Sequence, residues 1–250
     1  MNSESGASLP APAMLDVSVS GVMDAFPWAC PALAVTPVVH RVAFDAATFD
    51  ASVFSRAGMA CPPHISQAVR KRQAEYFHGR SCARAALSAY GHHGDVGTGP
   101  AREPLWPEGM VGSITHGATL AAAVALPAAA CRGIGIDIEQ VSATNLDALR
   151  STVVSATEYA LLASLAGPID IGILLTLVFS AKESFFKATY ATVGHYFEFD
   201  AIALHAIDLA GCQLTFVVTA PLCADWPAGK PLRVHYTLAP EGRVATLFAW

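Results

Sequence analysis

Gly133-Ile-Gly-Ile-Asp-Ile-Glu139 has the alternation of a β-strand. A strand repeats every two residues, so Ile134, Ile136 and Ile138 point one way, into a core. Gly133, Gly135, Asp137 and Glu139 share the other face. Two carboxylates one pleat apart repel each other unless a cation lies between them. Oxygen ligands of this kind suit Mg²⁺, which takes a few carboxylates together with phosphate oxygens and water. The same residues also fit a strand that ends at a solvated acidic edge. The glycines do not have the spacing of a dinucleotide-binding loop.

Phe179-Ser-Ala-Lys-Glu-Ser-Phe-Phe-Lys187 offers a third carboxylate and two cations. Glu183 and Lys187 are at i, i+4 and share a helical face. Glu183 could complete a metal site, and Lys182 and Lys187 could hold phosphates. Two plainer readings compete. Ser180 to Glu183 has the form of a capping box, and Glu183 with Lys187 is an ordinary helix ion pair. The chain has four lysines and two of them are here.

Arg70-Lys-Arg-Gln-Ala-Glu-Tyr-Phe-His-Gly-Arg80-Ser-Cys-Ala-Arg84 gathers five of the 15 basic residues into 15 positions. Arginine forks match phosphate groups. Gly79 costs helix propensity, which a close approach of ligand would explain. A solvated basic face is the plainer alternative. In Gly112-Ser-Ile-Thr-His116-Gly, a histidine after a strand, with hydroxyls nearby, could bind a phosphate or move a proton. A structural histidine is the alternative there. No nucleophile elbow and no Ser/Asp/His set with recognisable spacing is present. Basic groups, three acids and a histidine together suit a small polyphosphate. The chain has no P-loop.

These residues need a scaffold that a 250-residue chain with 53% hydrophobic residues can build. At ~150 residues per domain, one large domain or two small lobes fit. The net charge of −5 argues against a nucleic-acid binder. Mean hydropathy is +0.42, yet Met110 to Cys131 holds Ser113, Thr115, His116 and Pro127, and the apolar run Ile171 to Ala181 is short for a membrane span. No positive n-region precedes Arg41, so no secretory signal is expected. Six scattered cysteines lack metal-ligand spacing and read as small buried residues of a reduced, cytoplasmic protein. The expected elements are a flexible tail over residues 1 to about 25, strands from Val38 to Phe54, and a helix from Ile65 to Tyr90. Two strands follow around a turn at 115–117, then a strand at 133–141. One or two helices span Asn145 to Leu165, starting at a Ser155–Glu158 capping box. A helix at 180–190 and several strands to the C-terminus follow, with turns at Pro221, Pro227 and 240–242. The expected class is α+β, with an N-terminal lobe over 26–130 and a C-terminal lobe over 131–250.

Taken together, four blocks in order resemble the Sfp-type 4′-phosphopantetheinyl transferases, in particular their enterobactin-synthetase component D branch. They are Arg72 to Arg80 with Ala83-Arg84-Ala85; Pro104 to Gly109 running into Gly112–His116; Gly133 to Glu139; and Phe179 to Glu183 with Lys187. They span roughly residues 70 to 190. The resemblance implies two similar α/β lobes in a pseudo-twofold arrangement, with coenzyme A between them, and a monomer. It implies transfer of the phosphopantetheine arm to a serine of apo acyl or peptidyl carrier proteins in siderophore, peptide or polyketide synthesis. Carried over residue by residue, Asp137, Glu139 and Glu183 would hold Mg²⁺. Arg72, Arg80 and His116 would hold nucleotide phosphates, with Arg102 near a further basic ligand. Lys182 and Lys187 would face the pyrophosphate, and Glu183, next to Lys187, or else Glu139, would take the serine proton. Ile138 leaves the metal set to three carboxylates. Thr115 keeps the hydroxyl that many relatives carry on serine there. A Mg²⁺-dependent phosphodiesterase on the same arm, or an inactive coenzyme A or carrier-binding module, are the rival readings.

Overall fold

The computed structural model describes residues 21–167, 169–239 and 242–250. In chain order the elements are β1 (Met23–Pro27), β2 (Val38–Ala43), α1 (Ser52–Arg56), α2 (Pro63–Ser66), α3 (Arg70–Ser88), β3 (Gly97–Thr98) and β4 (Pro104–Leu105). Then come β5 (Met110–His116), β6 (Leu120–Pro127), β7 (Ile134–Gln140), α4 (Leu146–Thr152), α5 (Ala156–Leu165) and α6 (Ile171–Val193). The chain ends with β8 (Ile202–Asp208), β9 (Gln213–Val218), β10 (Pro231–Ala239) and β11 (Arg243–Ala249). The class is α+β.

Two antiparallel sheets carry the molecule. One has the order β1-β2-β6-β5 and the other β7-β11-β10-β9-β8. Helix α3 covers the outer face of the first sheet, burying Ala74, Ala83, Ala86 and Leu87 against Ala121, Ala123 and Ala125. Small residues on both sides let helix and sheet approach closely. Helix α6 covers the outer face of the second, burying Leu174, Leu177, Phe185 and Ala188 with Val234, Val244 and Phe248. The inner faces meet around Val39, Val124, Leu126, Ile134, Ile136, Ile138 and Leu247. The three isoleucines of β7 therefore face the contact between sheets, as the period of two requires. Where edges β5 and β7 meet, hydroxyls bridge them. The Ile136 amide donates to Ser113 Oγ at 3.0 Å and the Ile138 amide to Thr115 Oγ1 at 3.3 Å.

Several local expectations change. The tail expected over residues 1 to about 25 falls largely on 1–20, which lie outside the described residues, and β1 begins within the expected span at Met23. The turn at 240–242 also falls largely on undescribed residues. From Val38 to Phe54 there is one strand, then the short α1 that buries Phe54. The helix expected from Ile65 to Tyr90 breaks because Val69 is extended, with ψ 151°. The capping box at Ser155 forms, with Glu158 returning to the Ser155 amide at 2.7 Å. The one at Ser180 does not. Ser180 is buried inside α6 and shares a hydrogen bond with Thr246 Oγ1 at 2.9 Å. The true N-cap is Asp170, which accepts from the Gly172 amide at 2.8 Å. The helix ends at Gly194, whose φ of 77° favours glycine.

Candidate active site

Helix α6 lies directly on the bare stretch of β7. A methyl group at Gly135 would strike the Ser184 carbonyl and the Ala188 amide, and one at Gly133 the Ala188 carbonyl. The glycines thus make room for a helix backbone. Beyond them, on the same face, come Asp137 and Glu139, beside Glu183 and Lys187 of that helix. Lys187 Nζ donates to Asp137 Oδ1 at 2.6 Å, and Thr115 Oγ1 donates to the same oxygen at 3.1 Å. Asp137 Oδ2 is buried and has no hydrogen-bond partner.

The electrostatics follow from crowding. Burial first, then the charges of Asp137 and Glu183, push the Glu139 carboxyl up to about 7. Burial and Asp137 also raise Glu183, against the pull of Lys187. Burial alone would lower Lys187, but Asp137, Glu183 and Glu139 together hold its ammonium above the usual range. Three carboxylates therefore share one field with one cation. As they stand, no three Asp, Glu, His or Cys side chains among the described residues form a closed metal cage. The donor chemistry nevertheless fits Mg²⁺: all the donors are oxygens, one buried oxygen is orphaned, and the acid excess is strained.

On the other side, one face of α3 meets the end of β5. Arg72 Nη1 lies 2.8 Å from His116 Nε2 and 3.4 Å from Glu75 Oε2. The guanidinium can only donate, so Nε2 accepts and the imidazole is neutral. Burial lowers the His116 pKa, and Arg72 and Lys187 add to this against Glu75. About two turns on from Arg72, Arg80 is buried, with Nη2 donating to Thr98 Oγ1 at 3.0 Å. Its guanidinium stacks 5.0 Å from the Tyr76 ring centre. Its Nη1 is buried without an acceptor. Gly79 serves packing, not a ligand: a methyl there would stand 2.9 Å from Ile114 Cγ2 of β5.

The structure thus groups Asp137, Glu139, Glu183, Lys187 and Thr115 at one place, and Arg72 and His116 beside them, since Lys187 influences His116. Lys182 is a correction. Its side chain is 1% exposed, paired with Glu158 Oε1 at 2.8 Å and donating to the Val153 carbonyl at 2.8 Å. With both bonds made inside the fold and almost no exposed surface, Lys182 cannot reach a pyrophosphate, whereas Lys187, which also bonds a carboxylate and the Ile136 carbonyl, keeps 26% of its side chain exposed. Glu158, whose carboxyl burial would raise, is instead held below its usual range by Lys182 and by the Ser155 and Leu204 amides. Arg102 stands exposed in the turn between β3 and β4 with φ 68°; Thr98 of the same hairpin is the residue that meets Arg80. Sequence reasoning gave no role to Glu75 or Thr98, and it read Glu158 only as a cap and Ser113 only as a nearby hydroxyl. Glu75 had a signal, being i+3 from Arg72 on one helical face. Thr98 had none.

Residues 62–126 match the family model of the 4′-phosphopantetheinyl transferase N-terminal domain, and residues 133–237 that of the 4′-phosphopantetheinyl transferase superfamily. The chain is 37% identical over 155 residues to enterobactin synthase component D of Escherichia coli (strain K12), which is 60% of this chain and 70% of that protein.

The chain belongs to the 4′-phosphopantetheinyl transferase superfamily.

It is also 40% identical over 144 residues to enterobactin synthase component D of Salmonella typhimurium, covering 56% of this chain and 59% of that protein's length. It is 31% identical over 172 residues to 4′-phosphopantetheinyl transferase PptT of Mycobacterium tuberculosis, covering 68% and 74%. The two matched segments divide between β6 and β7, where the chain passes from one sheet to the other. The candidate site draws on both. Arg72, Arg80, Thr115 and His116 lie in the first segment of this superfamily member, and Asp137, Glu139, Glu183 and Lys187 in the second. No helix among the described residues is long and apolar enough to cross a membrane.

Proposed function

We propose that this protein transfers the 4′-phosphopantetheine arm of coenzyme A to a serine of an apo acyl or peptidyl carrier protein. The observation that carries the reading is the Asp137–Glu139–Glu183–Lys187 cluster facing the Arg72–His116 pair, within a chain of this superfamily. The serine oxygen attacks the phosphorus next to the pantetheine arm. The bond from that phosphorus to the bridging oxygen breaks, and adenosine 3′,5′-bisphosphate leaves. Such a transfer asks for positioning and charge neutralisation more than covalent help.

The chain's residues divide this work. Arg72, neutral His116 and the unsatisfied Nη1 of Arg80 hold nucleotide phosphates. Lys187 faces the pyrophosphate. Asp137, Glu139 and Glu183 would hold Mg²⁺, which would offset the pyrophosphate charge. Thr115 and Lys187 fix one Asp137 oxygen and leave the other for the ion. The serine proton passes to Glu183, directly or through water, with Glu139 as the second candidate. Intact carboxylates argue against an inactive binder. Carriers of siderophore, peptide or polyketide synthesis are the proposed partners, and nucleic acid is not one. Six free thiols suit the cytoplasm. A site complete in one chain suits a monomer.

Asp137→Asn tests the assignment. Transfer should fall at least a hundredfold, because metal stabilisation is worth several kcal/mol. The melting temperature should move by only a few degrees. Near-normal transfer would take Asp137 out of the metal site.

A further inference from the structure

Glu75 has no part in the proposed transfer, yet three nitrogen-bearing side chains converge on it. It lies on α3, and Arg72, three residues before it, brings Nη1 to 3.4 Å from Oε2. His116, at the end of β5, brings Nδ1 to 3.7 Å from the same oxygen. Lys71 approaches Oε1 at 3.9 Å. The Glu75 side chain is 12% exposed, against 33% for His116 and 41% for Arg72. A ligand arriving from solvent therefore meets the imidazole and the guanidinium, with the carboxylate behind them.

This arrangement fixes where the imidazole carries its proton. Arg72 Nη1 donates to His116 Nε2 at 2.8 Å, so the neutral ring has its proton on Nδ1, on the side of Glu75. Nε2 then offers only a lone pair. A phosphate oxygen is an acceptor too, and the two repel. His116 thus comes to the phosphates neutral and holds one by gaining a proton at Nε2. Moving the existing proton across the ring would turn a bare Nδ1 towards the Glu75 carboxylate, lone pair against negative charge. The charged groups acting on His116 are Glu75 and Arg72 of α3 and Lys187 of α6. Burial and the two cations keep the free ring neutral, and Glu75 opposes them. A bound phosphate offsets both cations and adds negative charge of its own, which favours the imidazolium.

We propose that Glu75 is a positioning residue that holds His116 in its Nδ1–H form and so couples binding of a nucleotide phosphate to uptake of one proton at Nε2. This rests on the reading of Arg72 and His116 as ligands of the nucleotide phosphates. In the complex the imidazolium turns one N–H to Glu75 and the other to the phosphate. Because binding takes up a proton, the affinity for coenzyme A falls as pH rises, by at most about tenfold per pH unit.

Nitrogen-15 NMR of the imidazole rings tests it, with the full chain titrated from pH 5 to pH 9 in EDTA, alone and saturated with adenosine 3′,5′-bisphosphate. That ligand keeps the nucleotide phosphates and has no arm to transfer. The His116 signals are assigned with His116→Gln. In the free chain they should show the Nδ1–H form and a midpoint below the ordinary ~6.5. With the bisphosphate bound, the midpoint should rise by at least about one pH unit, a tenfold gain in proton affinity. Glu75→Gln should cut that rise by at least half, and Glu75→Asp should restore part of it. A free ring protonated on Nε2, a midpoint unmoved by the bisphosphate, or an equal rise in Glu75→Gln would each overturn the proposal while leaving the phosphate site in place. Failure of the bisphosphate to bind at all would overturn the phosphate site, and the proposal with it.

Discussion

Asp137 carries one oxygen held by Lys187 and Thr115 and one buried with no partner. Around it, Glu139 is held up at about 7 by burial and by neighbouring acids. The sign of the resulting pH dependence is fixed. From its usual 4.5 up to about 7, the folded protein keeps a proton on Glu139 that the unfolded chain releases. That contribution to stability is present at low pH and is lost as pH rises through about 7. Mg²⁺ competes with the proton, so the rise in melting temperature on adding Mg²⁺ should grow from pH 5 to pH 8. A rise that is flat with pH would remove Glu139 from the metal set. Arg80 gives a second prediction at this scale. Arg80→Ala should raise the KM for coenzyme A about tenfold or more, the worth of one charge-assisted bond. It should do less to dephospho-coenzyme A. Equal effects in steady-state kinetics would place Arg80 away from the 3′-phosphate. That Asp137 and Glu139 share one face was legible from the strand's period; their grouping with Glu183 as a metal set was chosen over plainer readings only through the family resemblance. The fate of Lys182 was not legible, since its partner Glu158 is 24 positions away in sequence and already serves as a cap.

Among the elements, the contact of β7 with α6 decides whether the acids meet. Its signature in sequence was Gly133 and Gly135, read as bare backbone without knowing what would cover it. Gly135→Ala should destabilise the fold by about 1–3 kcal/mol, the usual cost of overpacking, and reduce transfer more than Gly58→Ala reduces it. Gly58 has open space, so its cost is confined to the backbone, and thermal melts with transfer rates separate the two. Unchanged transfer in Gly135→Ala would mean that α6 does not set the site's geometry. Helix α6 also explains a misread boundary. Ser180 and Glu183 have the spacing of a cap, yet the apolar run from Ile171 belongs to the same helix, and Ser180 finds its partner on β11. Local sequence offers both options, and tertiary burial chooses. Gly79 likewise gave a correct signal of close approach, with the neighbour being Ile114 and not a ligand.

Across the whole molecule, the proposed function needs both sheets. The proposed phosphate ligands come from α3 and β5, the acids from β7 and α6, and the hydroxyls of Ser113 and Thr115 tie the edges together. The α+β class was legible from alternating and helical patterns, because the helices are long and most strand neighbours follow each other in sequence; the pairings β2 with β6 and β7 with β11 do not. The edge contact was not legible, since it rests on two hydroxyls meeting amides across 23 residues of sequence. The central claim is a group transfer that needs a divalent cation. The most direct test is intact mass spectrometry of an apo peptidyl carrier domain incubated with this protein, coenzyme A and Mg²⁺, beside an EDTA control. The account predicts a gain of one phosphopantetheine arm per carrier, absent with EDTA. No gain on peptidyl and acyl carriers alike, with coenzyme A still bound, would contradict it.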